Sequence, residues 1–132
     1  MSWLTVREQH RAILEDFSEF RLVADCDWFG IWEGVVQPIA KPYRIRIIYY
    51  RYHLFDDWEW QAPFVQVHVI DPPIGAQALA AGKRLPHIYG NPHDPAMPAL
   101  CLYDPETSWT GYDYIASTII PWASEWLFHY EY

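Results

Sequence analysis

Two thiols and a group of loop histidines are the side chains in this sequence best suited to covalent chemistry. Cys101 stands in Pro98-Ala99-Leu100-Cys101-Leu102-Tyr103, directly after a proline-rich stretch. A thiolate is strongly nucleophilic, and a thioester keeps its carbonyl reactive toward amines, so a displayed cysteine suits acyl transfer. The competing reading is an apolar cysteine buried in a short strand between two leucines, because free cysteine is among the most buried residue types. Residue type alone leaves both readings open. His87 and His93 lie nearby and allow a Cys-His hydrolase with histidine as base, although a loop histidine beside prolines is more often a structural hydrogen-bonder. Cys26, in Ala24-Asp25-Cys26-Asp27, is flanked by carboxylates that disfavour a thiolate, and it reads as inert. No C-x-x-C, no H-E-x-x-H and no deaminase-type His-x-Glu with Pro-Cys-x-x-Cys occurs, so neither a metal nor another cofactor is expected.

The elements that must position these residues follow from periodicity. An amphipathic helix is expected from residue 5 to about 21. Thr5 and Glu8 make a capping box at its start, and Val6, His10, Ile13, Leu14, Phe17 and Phe20 share a three-four spaced face. Beyond Arg21 the period shifts toward two. Residues 22–24 and 28–36 predict short strands with Gly30 and Gly34 as turn or bulge positions. Residues 37–42 form a turn, and 43–52 a third strand in which Arg44, Arg46 and Ile48 alternate with Ile45, Ile47 and Tyr49. Asp56-Asp57 marks a break, and 64–70 is a fourth strand stopped by Asp71-Pro72-Pro73. Residues 71–99 hold six prolines, at 72, 73, 86, 92, 95 and 98. They predict a long loop of the kind that is often functional, interrupted by a short helix at 76–81. After Trp109 the helical period returns, with Ile115, Ile119, Trp122, Ala123, Trp126 and Tyr130 on one face. Pro121 either kinks that run or begins a second helix. Strands followed by helices predict an α+β layer, with helices over one face of an antiparallel sheet. No repeat or linker is visible, so residues 1–132 read as one domain.

Bulk composition narrows the function. The chain is 52% hydrophobic and 18% aromatic, with eight Trp and ten Tyr, enough to bury a core and to exclude intrinsic disorder. Its net charge is −8, from 17 acidic and 9 basic residues, which repels phosphate backbones and makes nucleic acid an unexpected partner. The basic stretch Lys41, Arg44, Arg46 and Arg51 reads as the polar side of a strand. Neither an 18-residue apolar run nor a charged-then-apolar leader occurs, so no membrane partner is expected, the cytoplasm is the expected compartment, and both cysteines read as free thiols.

Spacing around Cys101 says more. Leu100-Cys101-Leu102 is followed eight residues beyond the cysteine by Trp109 and then by a helix holding Ile115, Ile119 and Ile120. An amphipathic helix, four strands and Pro72-Pro73 precede it. In these features the chain resembles the ubiquitin-conjugating enzymes over nearly its whole length. The resemblance implies an N-terminal helix, a four-stranded antiparallel meander, a proline-rich active-site loop and a C-terminal helix, with the last two family helices absent. More particularly, Leu85-Pro86-His87-Ile88-Tyr89-Gly90, Leu100-Cys101-Leu102-Tyr103-Asp104-Pro105 and Ile119-Ile120-Pro121-Trp122 are similar to the short stand-alone conjugating-enzyme-like proteins of bacterial CBASS anti-phage operons, which signal with cyclic oligonucleotides. That resemblance implies Cys101 as the catalytic thiol. It also implies a cGAS-like nucleotidyltransferase as partner through its C-terminal tail, with conjugation modulating its activity. One departure matters. The family's His-Pro-Asn, whose Asn helps stabilise the oxyanion of aminolysis, has no counterpart here. His87-Ile88-Tyr89 offers a His with Tyr in the third place, set four residues farther from the cysteine, and Asn91 and His93 lie nearer. Losing one oxyanion donor costs roughly 3 kcal/mol of barrier, so transfer is slow or relies on a donor such as Tyr89 or Asn91. Trp109, at its family position, would brace the active-site loop.

Three functions therefore stand in order. The first is a cysteine-dependent acyl transferase, with the accepting amine left open and any activation by ATP left to another protein. The second is a non-catalytic binding module of the same fold that docks the nucleotidyltransferase, and the missing Asn favours it. The third is a Cys-His hydrolase. The aromatic segment 122–132 is either a docking face or the helix that closes the core, and the second reading is preferred.

Overall fold

Helix α1 spans Val6–Asp16 and begins where its capping box puts it. In the computed structural model, which describes residues 3–26, 29–50, 65–91, 94–103 and 109–131, the Thr5 hydroxyl accepts the Glu8 N–H at 3.0 Å and the Glu8 carboxylate accepts the Thr5 N–H at 3.0 Å. The helix ends well short of residue 21. Phe17 leaves helical space at φ −135° and ψ 65°, and its ring meets Phe20 edge-on at 5.8 Å, so the chain turns and drives Phe20 into the core. The buried stripe of α1 is Val6, Gln9 and Ile13; Leu14, expected inside, is 40% exposed. Gln9 can be fully buried because both ends of its amide are used. Nε2 donates to the Asp113 carbonyl at 2.9 Å, and Oε1 accepts the Ile115 N–H at 2.9 Å. That pair of bonds clamps α1 onto the approach to the last helix.

Strands β1 (Arg21–Asp25), β2 (Phe29–Val36), β3 (Tyr43–Tyr50) and β4 (Val65–Asp71) form an antiparallel meander in sequence order. The expected strand residues Trp28, Arg51, Tyr52 and Phe64, and the break at Asp56-Asp57, lie outside the described residues. Gly30 and Gly34 are neither turn nor bulge. They pair regularly with Tyr49 and Ile45, and they are glycine because α1 and Phe20 press close: a Cβ on Gly30 would stand 2.6 Å from Val6 Cγ1, and one on Gly34 would overlap the Phe20 ring. The register shifts fall instead between Leu22 and Ala24 of β1 and, in the β3–β4 pairing, between Arg44 and Ile45. On β3, Tyr43, Ile45, Ile47 and Tyr49 face the core. Arg44 and Arg46 face away and grip Glu33 of β2 at 2.6 and 3.0 Å. Burial pushes the Glu33 carboxyl up, but the hydrogen bonds from Arg46 and Arg44 outweigh it and hold the group below its ordinary value.

Strand β4 is buried on both faces, Gln66 and His68 included, because the chain folds back over its second face. The expected irregular stretch 71–99 is there divided into helix α2 (Ile74–Ala80), which starts two residues earlier than the sequence suggests, and a small ribbon of β5 (Ile88–Tyr89) paired antiparallel with β6 (Ala99–Leu100). Two-residue strands are too short to show a period. Helix α3 runs Ile119–Glu131. Pro121 sits in its first turn, where an N–H would have no acceptor within the helix, so the proline begins the helix rather than kinking it. The buried face of α3 is Ile119, Ile120, Ala123 and Leu127. With Ile115 these side chains join the α1 stripe and the inner face of β3 in one core. Trp122 and Trp126, expected on the same face, lie at its margin, and Tyr130 is 38% exposed. No helix among the described residues is long and apolar enough to cross a membrane.

Candidate active site

Cys101 is the first residue after β6, and the ribbon fixes it. Its N–H donates to the His87 carbonyl at 2.9 Å, adding one rung beyond the Ile88–Leu100 pair. The same oxygen accepts the Trp126 indole N–H, also at 2.9 Å. His87 reaches this position with a left-handed backbone, φ 50°, a conformation that costs an L-residue roughly 1–2 kcal/mol and in which histidine is over-represented.

The backbone leading into the cysteine is held from several sides. The Asn91 side chain donates to the Met97 carbonyl at 3.2 Å and accepts the Asp94 N–H at 3.2 Å, so it spans the turn. His68, 5% exposed, sets Nδ1 at 3.1 Å from the carbonyl oxygens of both Met97 and Pro98, and Nε2 at 3.2 Å from the Gln66 side chain. Burial pushes the His68 pKa down, more than the two carbonyls raise it, which keeps the ring neutral. Helix α2 approaches so closely that a Cβ on Gly75 would overlap the Ala96 carbonyl and stand 2.8 Å from Pro98 Cδ.

Beyond the cysteine, Tyr103 closes the free edge of β4. Its hydroxyl accepts the Val65 N–H at 3.1 Å and donates to the Val65 carbonyl at 3.1 Å. Burial pushes its pKa far above the ordinary phenol value, so the donor hydrogen stays. Tyr89 donates to the Tyr103 carbonyl at 2.8 Å. Trp109, 3% exposed, lies with its ring 6.0 Å from that of Tyr103 and edge-on to Tyr49 at 5.9 Å, and its indole donates to Thr118 at 3.0 Å.

The thiol of Cys101 is free and half-buried. It opens on a groove of about 490 Å³ walled by α2, by Lys83 and Arg84, and by His87 and Ile88. Of the residues singled out in the sequence, His87 shares this groove with Cys101, whereas Tyr89 and Asn91 do not line it. Tyr89 follows Ile88 and so faces the other side of the ribbon. Trp109 stands in the core behind Tyr103, and His93 lies outside the described residues. Cys26, also free, follows β1, with its N–H on the Phe29 carbonyl. Among the described residues no three His, Cys, Asp or Glu side chains gather closely enough to hold a metal ion. Sequence reading missed Lys83 and Arg84, although they are the one place where two Lys or Arg residues adjoin. It also missed Gln66 and His68, which alternation assigns to solvent.

A four-stranded meander with a helix at each end, and a half-buried cysteine on a short ribbon between sheet and last helix, is a reduced ubiquitin-conjugating fold. The family model described as Type II CBASS E2 protein matches residues 9–132, and the chain belongs to that family. It is therefore an E2-like protein of CBASS anti-phage defence. No curated protein matches the chain.

Proposed function

We propose that Cys101 accepts the C-terminal carboxyl of a cGAS-like nucleotidyltransferase as a thioester and passes it to an amine, regulating cyclic-oligonucleotide signalling in the cytoplasm. The observation that carries this reading is the half-buried thiol at a groove, in a chain of the E2 family. In the first step the Cys101 thiolate attacks the acyl carbon of a tail carried as a thioester on a separate activating protein. The new C–S bond forms, the old one breaks, and the donor leaves as its own thiolate, so no resident base is required. In the second step an amine attacks the Cys101 thioester and loses its proton to solvent, and the Cys101 thiolate leaves. Both steps pass through a tetrahedral oxyanion. We assign its hydrogen-bond donor to His87, which shares the groove. Tyr89, Asn91 and Trp109 act as positioning residues, through the Tyr103 carbonyl, the turn before β6 and the Tyr103 ring respectively.

The test is intact-mass analysis of the chain purified with its operon nucleotidyltransferase, wild type against Cys101→Ser. A thiol-sensitive adduct on the wild type and a thiol-resistant ester on the variant are the expected outcome. Bare masses in both, with the two proteins still co-purifying, would sink the transfer reading and leave the non-catalytic docking module. One observation favours that second reading: neither Tyr89 nor Asn91 lines the groove to replace the family's oxyanion amide.

A further inference from the structure

The groove at Cys101 differs in charge from the surface around it. The chain carries 17 acidic and 9 basic residues, yet among the described residues no acidic side chain lines this groove, while Lys83, Arg84 and His87 do. Neighbouring grooves are mixed: Glu8, Glu15 and Asp16 oppose Arg11 along α1, Asp25 lies in the groove between α1 and β1, and the groove beyond Lys83 runs to Glu131. Three of the cations elsewhere are held by carboxylates, Arg7 by Asp25 and Arg44 and Arg46 by Glu33. Among the described residues no carboxylate forms an ion pair with Lys83 or Arg84.

The two cations are also held in place. Gly82 turns the chain at φ 66°, and the N–H groups of Gly82 and Lys83 donate to the Leu79 and Ala78 carbonyls at 3.1 and 2.9 Å, a helix end that fixes their backbone. Beside them the groove presents Leu79, Leu85, Ile88, Pro95 and Pro98, an apolar floor under a cationic rim. Nucleotide recognition would want a stacking platform, and among the described residues no Phe, Tyr or Trp lines the groove.

We propose that the occupant is an acidic peptide tail. It lies extended with apolar side chains on Leu79, Leu85 and Ile88 and carboxylates on Lys83 and Arg84, and its terminal carbonyl reaches Cys101. This rests on the reading of Cys101 as the acyl acceptor and specifies the substrate's chemistry. A chain of net charge −8 repels acidic segments everywhere except where cations focus the field, so the groove selects as well as binds.

The probe is a phage-displayed library of random peptides with free C-termini, selected on Cys101→Ser protein with and without Lys83→Glu/Arg84→Glu. We expect Asp and Glu to be enriched on the first and Lys and Arg on the second. A selected acidic peptide should bind the charge-reversed protein at least about tenfold more weakly. The reversed preference is its own proof of folding; if the double Glu variant does not fold, Lys83→Gln/Arg84→Gln should abolish the preference. Enrichment without charge bias, no enrichment, or a cyclic dinucleotide that binds through Lys83 and Arg84 where peptides do not would each overturn the proposal. The two readings fail separately. A Cys101 adduct formed equally fast by wild type and by Lys83→Glu/Arg84→Glu sinks only the acidic-tail inference. Acidic enrichment with no adduct sinks only acyl transfer.

Discussion

His68 Nδ1 lies 3.1 Å from two carbonyl oxygens, those of Met97 and Pro98, and carbonyls only accept, so that nitrogen carries hydrogen. In a neutral ring Nε2 is then an acceptor; the atom 3.2 Å away is Gln66 Oε1, so the Gln66 amide must be turned over, exchanging O and N, for its NH2 to donate to Nε2. Burial lowers the His68 pKa from 6.5. As pH falls through 6.5 the unfolded chain takes up a proton that the folded chain refuses. Stability is therefore full above that pH and declines below it, by at most about 1.4 kcal/mol per pH unit. His10 adds in the same direction: burial and Arg7 lower its pKa, and its Nδ1 accepts the Trp32 indole N–H at 3.1 Å. We expect the urea midpoint to drop between about pH 7 and 5.5 and His68→Gln to flatten that dependence; an unaltered slope in the variant would remove His68 as its source. Nothing in the sequence reveals this residue. Period-two alternation across 64–70 distinguishes two faces of a strand, but not that the chain later returns to cover the second.

At the scale of elements, α2 supports the cysteine strand through the absence of a side chain. A methyl group at Gly75 would meet the Ala96 carbonyl, so either α2 lifts or residues 96–98 shift. Pro98, Ala99 and Leu100 are buried and run straight into Cys101, so the shift arrives at the thiol. Gly75→Ala should cost about 1–3 kcal/mol of stability and change the rate of Cys101 alkylation by iodoacetamide. An alkylation rate equal to wild type would make the cysteine's setting independent of α2. The start of α1 was legible because its signal, the Thr5–Glu8 box, is local. The start of α3 was not, since the helical period of the sequence returns after Trp109 and takes in Ile115, whereas 109–118 holds turns and the helix begins at Ile119 with Pro121 in its first turn. Helix ends and faces were not, because the Phe17–Phe20 contact stops α1 and Gln9 enters the core only by virtue of carbonyl and N–H groups more than a hundred residues away. Gly30 and Gly34 look like turn residues in a sequence; what requires them is the closeness of Val6 and Phe20.

For the whole molecule, the α+β class and the order of the longer helices and strands could be read in advance, since helix and strand periods are properties of the chain alone. The character of the groove could not, because it is made by α2, the 83–88 stretch and β6 meeting in space. Its charge makes a prediction at this scale. If an acidic tail is drawn in by Lys83 and Arg84, its association rate should fall as salt rises and the Debye length shrinks from about 10 Å at 0.1 M. Lys83→Gln/Arg84→Gln should lose that dependence in stopped-flow binding. A rate that rises with salt would mean that repulsion from a body of net charge −8 governs the encounter. The two ends of the chain's second half also meet at one atom. The His87 oxygen bears both the Cys101 amide and the Trp126 indole, each at 2.9 Å, so the last helix and the backbone of Cys101 hang from a common peg. A protein that gripped the outer edge of α3 would be tugging on the strand that carries the thiol, and the slack between grip and chemistry is a single carbonyl.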